Sequence, residues 1–291
     1  MPVTKHLWPA PLRITLGLWW LYFSYTKWFD LAWVEGFIVH LADTHPIPAY
    51  GEFLMRVVLP RWQVLAVLYT WVEGAVGVLL VLGLYVRPAA LLGTLVSGSL
   101  LFSFLQLPPV VPPPEIIPLW YWMYIFAFAL NLHVLAQPSD PLTRPPHSPG
   151  HHGLRRAHPV RLLVGAFWLY FGYLTISWSS TPWLRDRLLE AARLNPVPPM
   201  GMALEAVALA GPAPAAIIYG MLSLITGGLL LLGLGGRWGA LLGVLMASVA
   251  GLSFIQPFND IPLWFWFYAL LLTLNLHLLI SAPTGPVHTG S

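Results

Sequence analysis

Long apolar runs alternate with short polar segments along the whole chain, and the runs set its architecture. Eight of them, 12–29, 62–84, 88–107, 117–136, 160–178, 213–234, 238–256 and 261–281, span 18 to 23 residues each. A helix of about 20 residues crosses the hydrocarbon core of a bilayer. None of the runs shows the two-residue alternation of a barrel strand. The pattern therefore predicts an all-α integral membrane fold with eight transmembrane helices. Between the first and second runs, and again between the fifth and sixth, a longer segment intervenes (30–61 and 179–212). Each holds a short amphipathic stretch, Trp33 to Ala42 and Leu184 to Leu194. Each then turns at a Pro-x-Pro corner, Pro46 and Pro48 or Pro196 and Pro198, with a Gly three residues on and a second apolar stretch behind it.

The pattern occurs twice because the sequence does. Arg13 and Gly17 before Trp20-Leu21-Tyr22-Phe23 return as Arg161 and Gly165 before Trp168-Leu169-Tyr170-Phe171, 148 residues later. Gly83-Leu84 and Arg87 return as Gly233-Leu234 and Arg237 at an offset of 150. Ile117-Pro118-Leu119-Trp120 with Asn131-Leu132-His133 returns as Ile261-Pro262-Leu263-Trp264 with Asn275-Leu276-His277 at 144. Collinear self-similarity of this kind marks a duplicated unit. The domains are then 1–137 for the first four-span repeat, 138–159 for a Pro- and His-rich linker, and 160–291 for the second repeat. Four spans per repeat is an even number, so the repeats enter the membrane from the same side and form two parallel four-helix units. Small residues allow helix backbones to approach closely. The spacing of Gly74, Gly77 and Gly83 accordingly predicts that the second spans lie near the contact between repeats.

Composition agrees with a membrane solvent: 57% of residues are hydrophobic and 9% charged, against about 25% charged in a soluble domain. Orientation follows from the basic residues. Lys5, Arg13, Arg87, Arg144, Arg155, Arg156, Arg161 and Arg237 share the face of the termini and linker, where the one acid is Asp140. The opposite face has six basic residues and nine acids. The positive-inside rule then puts both termini in the cytoplasm of a bacterial plasma membrane. The absence of cysteine excludes disulfides, thiolate catalysis and thiolate-held iron–sulfur clusters. His147, His151, His152 and His158 in the linker read as parts of a polar tether, because no acid or Cys completes a metal-ligand set around them. The amino terminus carries no cleavable signal pattern. Nucleotide-loop, dinucleotide, zinc-helix and serine-elbow signatures are absent, and nothing points to nucleic acid.

Candidate chemistry starts at Glu73. It lies eleven residues into the second run, roughly 16 Å deep at 1.5 Å per residue. An acid at that depth is costly, about 3 kcal/mol on insertion scales, and faces the bundle interior or a wet cavity. So placed, it either exchanges a proton or makes a structural interhelical bond. Lys27, near the outer end of the first run, is its natural partner, unless its long stem simply carries the ammonium to the interface. The second repeat has neither group: Thr175 stands at the Lys27 position and Ser223 at the Glu73 position. Gln106 and Gln256, each after Ser-Phe at the end of its third run, suit a carbonyl ligand or pack helix ends. His133 and His277 invite a bis-histidine haem reading, set aside because an Asn-Leu-His at a helix end more often caps carbonyls. His40 and His45 lie on the outer face and read as surface histidines, with contact to a substrate or metal as the alternative.

These residues resemble the DoxX family of four-span bacterial membrane proteins. Arg13 and Gly17 lead into an aromatic run and Lys27; Glu73-Gly74 and Gly77 precede Leu82-Gly83-Leu84 and Arg87. The second repeat matches through Arg161, Gly165, Gly227, Gly228, Gly233 and Arg237. Some members resemble the membrane subunit of thiosulfate:quinone oxidoreductase, which implies a quinone-linked redox role. On that reading Glu73 exchanges the quinol proton, Lys27 stabilises a carbonyl or anion, and aromatic side chains such as Trp71 and Tyr25 hold the ring. Electrons would come from other membrane or periplasmic redox subunits, or from a small reductant such as thiosulfate. The rival expectation is a non-catalytic accessory subunit of a larger respiratory or photosynthetic membrane complex, with Glu73 structural.

Overall fold

The computed structural model describes residues 9–105, 119–136, 159–234, 237–253 and 262–281. The Gln106, Gln256 and linker-histidine expectations lie outside those residues. The described residues form twelve α-helices and no strand. The chain divides into two compact units, 1–151 and 152–291, and the division falls inside the Pro- and His-rich linker.

The first unit comprises α1 (Pro9–Phe29), α2 (Ala32–Thr44), α3 (Pro48–Phe53), α4 (Trp62–Leu82), α5 (Val86–Ser103) and α6 (Leu119–Ala136). The second comprises α7 (Pro159–Trp178), α8 (Pro182–Leu194), α9 (Pro198–Ala210), α10 (Ala213–Leu232), α11 (Trp238–Ser253) and α12 (Pro262–Ser281). Each of the eight apolar runs holds a long helix within its described residues, and each short amphipathic stretch is helical as well. Among the described residues, four helical segments are long and apolar enough to cross a membrane: Pro48–Leu82, Val86–Ser103, Pro159–Trp178 and Ala213–Leu232. Helix α1 is not among them, since it carries Arg13, Thr15, Ser24, Thr26 and Lys27 along its length.

In each unit the first long helix packs against the helix of the Gly-rich run: α1 against α4, and α7 against α10. Gly17 and Gly77 make that approach possible. A methyl group on Gly77 would lie 2.7 Å from the Leu21 side chain and 2.9 Å from the Gly17 carbonyl. Gly165 and Gly227 meet in the same way between α7 and α10. Gly77 is used inside its own unit, to bring α1 and α4 backbones together.

The repeated Gly-Leu-x2-Arg is a helix stop. Gly83 and Gly233 take the left-handed conformation, φ 75° and 69°. Leu84 N–H then bonds the Leu79 carbonyl, and Leu234 N–H the Leu229 carbonyl, both at 3.0 Å, closing the Schellman turn. The guanidinium of Arg13 lies against Gly83, and that of Arg161 against Gly233, where any side chain would displace them. A cation at a helix C-terminus is favourable. The Arg-x3-Gly spacing is thereby explained: one face of α1 supplies both the cation for the end of α4 and the notch for its body.

The Pro-x-Pro corners are locked by side chains. His45 is buried, not a free surface histidine as expected. Its Nδ1 accepts the Ile47 N–H at 3.1 Å, so its Nε2 donates to the Phe102 carbonyl at 3.0 Å. In the second unit Asn195 does the same work: Oδ1 accepts the Val197 N–H at 2.9 Å and Nδ2 donates to the Leu252 carbonyl at 2.8 Å. Both residues fix the corner to the end of the third span. His45→Asn should therefore fold with a melting temperature close to wild type. His45→Ala should lose about 1–3 kcal/mol for the groups left unsatisfied. Equal melting of the Ala and Asn variants in one detergent would show that the corner does not need the bond.

Beyond the corners the units differ. In the first, α3 continues through a π-helical turn (Leu54–Val58) and a short 3-10 turn (Leu59–Arg61) into α4. Pro60 has no N–H and its ring would clash with the carbonyl four residues back in a regular helix. The wider turn, closed by Leu59 N–H on the Leu54 carbonyl, admits it. In the second unit Gly211, at φ 98°, breaks the chain between α9 and α10.

Candidate functional site

The polar core of the first unit lies between α1 and α4. Ser24 Oγ donates to the Thr70 carbonyl at 3.0 Å, and Gly74 leaves room for the Ser24 hydroxyl. One turn past Ser24, Lys27 comes level with Glu73, and its Nζ donates to Glu73 Oε1. The pair is shielded from solvent: the side chain of Lys27 is 11% exposed and that of Glu73 0%. The ammonium also lies 5.6 Å from the centre of the Tyr69 ring, within cation–π range. Tyr69 in turn bonds the Val96 carbonyl at 3.0 Å and Ser99 Oγ at 2.6 Å.

The second carboxylate oxygen is different. Glu73 Oε2 is buried and has no hydrogen-bond partner among the described residues. Trp19 Nε1, on α1, is buried and unpartnered as well. Buried polar atoms normally have partners; among the described residues Arg161 Nε and Trp178 Nε1 lack one too, and what sets Glu73 Oε2 apart is that it can accept a proton or a hydrogen bond from a ligand. The wall at Trp19 is aromatic: Trp19 against Phe23 at 4.6 Å between ring centres, and Tyr124 of α6 within 6.3 Å of both.

Of the sequence-derived site residues, the structure brings Lys27 and Glu73 together. Trp71 and Tyr25 are elsewhere. Each is two residues from a member of the pair, which turns it roughly 200° round its helix, and both are exposed. Trp71 packs edge-on against Trp28 at 5.1 Å, and Tyr25 against Phe29 at 4.6 Å. They form an aromatic outer face next to the buried pair, not its lining. Tyr69, Trp19 and Tyr124 are the residues that sequence reasoning missed. Tyr69 was open to discovery, because it lies one helical turn before Glu73 and recurs as Tyr219.

The repeated Asn is also not a helix-end cap. Asn131 is fully buried and its Oδ1 accepts from Trp20 Nε1 at 3.5 Å; in the second unit Asn275 accepts from Trp168 Nε1 at 3.2 Å. Gly93 and Gly243 provide the space for these amides. The two bonds tie the last span of each unit to its first. His133 is half-buried on α6 and His277 buried on α12, in separate units. No group of three or more His, Cys, Asp or Glu able to hold a metal occurs among the described residues.

The second unit shows what the fold needs in place of the pair. Thr175 Oγ1 donates to the Phe171 carbonyl at 2.7 Å, and Ser223 Oγ to the Tyr219 carbonyl at 2.9 Å. Each hydroxyl is satisfied by its own helix, and the helices pack as in the first unit. An ion pair at this position is thus not a requirement of the architecture.

Residues 9–105, a third of the chain, match the DoxX family model. The match runs from the start of α1 to the end of α5 and includes Lys27 and Glu73. No curated protein and no solved structure matches the chain. The family match and the four long apolar helices together describe a DoxX-like membrane protein.

Proposed function

We propose that the chain is a quinone-linked redox subunit of the DoxX type, with its site in the first repeat. On this reading all eight apolar helices are transmembrane, in two four-span repeats, and both termini face the cytoplasm of a bacterial plasma membrane. One observation carries the reading: a buried ion pair with an unpartnered carboxylate oxygen, at a position where the second unit folds with two self-satisfied hydroxyls. Burying charge is expensive unless its partners repay the desolvation. A costly group that the fold does not require is retained for chemistry.

The residues fit a quinone headgroup. A quinone supplies reversible electron and proton uptake at its carbonyl oxygens. Glu73 Oε2, free of other bonds, holds or yields the proton at such an oxygen. Lys27 Nζ keeps the carboxyl oriented through Oε1 and places a positive charge where an oxygen gains negative charge. The exposed, edge-on Trp28–Trp71 pair offers an aromatic contact to a lipid-soluble ring on the outer face of the unit. Electrons come from a partner subunit or a small reductant such as thiosulfate, because the chain offers no thiolate ligand for a cluster.

Binding tests the reading directly. Purified protein should take up a short-chain quinone, and Glu73→Ala should weaken that uptake by about tenfold or more, the loss of one charge-assisted hydrogen bond. Equal binding by wild type and variant, with both folded, would retire the quinone site. It would leave the accessory-subunit role, in which the spans serve only to pack against partner helices.

A further inference from the structure

Beside the buried pair, beginning at Tyr69, runs a row of hydroxyls that the second unit keeps only in part. Ser99 and Ser103 lie one turn apart on α5. Tyr69 OH meets Ser99 Oγ at 2.6 Å, and Tyr50 OH meets Ser103 Oγ at 2.6 Å. Ser99 Oγ reaches the Val96 carbonyl at 2.8 Å, and Ser103 Oγ donates to the Ser99 carbonyl at 2.8 Å. Tyr50 therefore donates to the Ser103 oxygen, whereas Tyr69 and Ser99 both reach the Val96 carbonyl and either can donate to the other. Tyr50 belongs to the first turn of α3, at the Pro-x-Pro corner, with its ring 4.5 Å from that of His45. From the corner to the core the order is Tyr50, Ser103, Ser99, Tyr69 and Glu73.

The same helices in the second unit carry only part of this row. At the matching positions Tyr50 is Met200, Ser99 is Val249 and Ser103 is Ser253. Ser253 Oγ meets the Met200 sulfur at 3.7 Å, and Tyr219 OH bonds the Met246 carbonyl at 2.9 Å. One carbonyl is thus enough to satisfy this tyrosine, so the Tyr69–Ser99 bond is not needed for packing. The hydroxyls of Tyr50 and Ser99 are lost from the second repeat together with the carboxylate, while those of Tyr219 and Ser253 remain.

We propose that Tyr50, Ser103, Ser99 and Tyr69 form a proton path between the corner of the first unit and the Glu73 carboxylate. It rests on the reading of Glu73 as a proton-exchanging group and adds the route that serves it. A proton arriving at the Tyr50 oxygen displaces the one already there to Ser103, and each hydroxyl oxygen in turn accepts one hydrogen and releases another. At the end Glu73 carboxylate becomes the carboxylic acid, with no net change in any hydroxyl. Two steps, Ser103 to Ser99 and Tyr69 to Glu73, join residues one helical turn apart, about 5–6 Å between Cβ atoms, and the proposed path runs through water at both. The titratable and charged groups facing the path are Lys27 of α1, Glu73 of α4, Tyr124 of α6 and His45 of the corner.

The test follows Glu73 itself in the full chain, reconstituted in phosphatidylcholine vesicles. After a rapid pH jump its protonation is read from the infrared carboxyl band that Glu73→Gln removes. Ser99→Val and Tyr50→Met should slow that protonation, by a factor on the order of 10² where a positioned proton carrier is lost. Ser99→Thr, which keeps a hydroxyl, should restore it. The second unit already folds with Val and Met at these positions, and melting curves confirm that the variants are intact. Wild-type rates in both Ser99→Val and Tyr50→Met would overturn the path. A wild-type Glu73 band that ignores the pH jump would overturn the proton-exchange reading beneath it. No quinone is present in the measurement, so failure of quinone binding leaves its outcome separate.

Discussion

Glu73→Gln should abolish most quinone-coupled turnover while leaving the protein folded. The amide keeps the shape of the carboxylate and an oxygen for Lys27, but it cannot exchange a proton at the vacant oxygen. Removing a general acid or base costs typically 10² to 10⁴ in rate. The comparison is between wild type and Glu73→Gln, with a short-chain quinone and the native electron donor, each checked for intact melting. A rate within a factor of about two of wild type would remove Glu73 from the chemistry and favour the accessory role.

The second large effect is on stability, and its size depends on whether one partner or both are changed. Lys27→Met leaves Glu73 as a buried charge with no counter-ion, a loss of about 3–5 kcal/mol where a buried pair is broken. The double variant Lys27→Thr, Glu73→Ser copies the residues at Thr175 and Ser223, whose hydroxyls bond their own helices. It should therefore melt near wild type, giving a strongly non-additive cycle. A double variant as unstable as Lys27→Met would mean that two hydroxyls cannot stand in for the ion pair in this unit. That outcome would break the argument that the architecture does not require the pair.

Much of this architecture was legible in the alternation of apolar and polar runs. The helix stops at Gly83 and Gly233 are local, since a left-handed turn needs no tertiary help, yet the apolar runs 62–84 and 213–234 read straight through them. The site was legible for a different reason. An acid in an apolar run is costly in isolation, and the missing acid in the second copy pointed to Lys27 and Glu73 as one unit. Features that depend on helix rotation were not legible. Trp71 lies close to Glu73 in sequence, yet it points to the opposite side. Gly77 announced a close approach without naming the helix that makes it, and the nearest partner was α1 of its own unit. His45 read as a surface residue because nothing local shows that its corner folds back onto the end of α5. The hydroxyl row was hidden in the same way, since it joins three segments whose register only packing decides.

The π-helical turn before Pro60 has a mechanical consequence. It keeps Pro48–Leu82 a single helix of 35 residues, about 52 Å at 1.5 Å per residue. Such a rod acts as a lever, with Glu73 on one arm and the corner at its tip. Any partner that tilts the tip moves the carboxylate relative to Lys27, whose own helix is not part of the rod. The second unit has a hinge at Gly211 instead, so the same push would be absorbed before it reached α10. One copy is built to transmit force, and the other to yield to it.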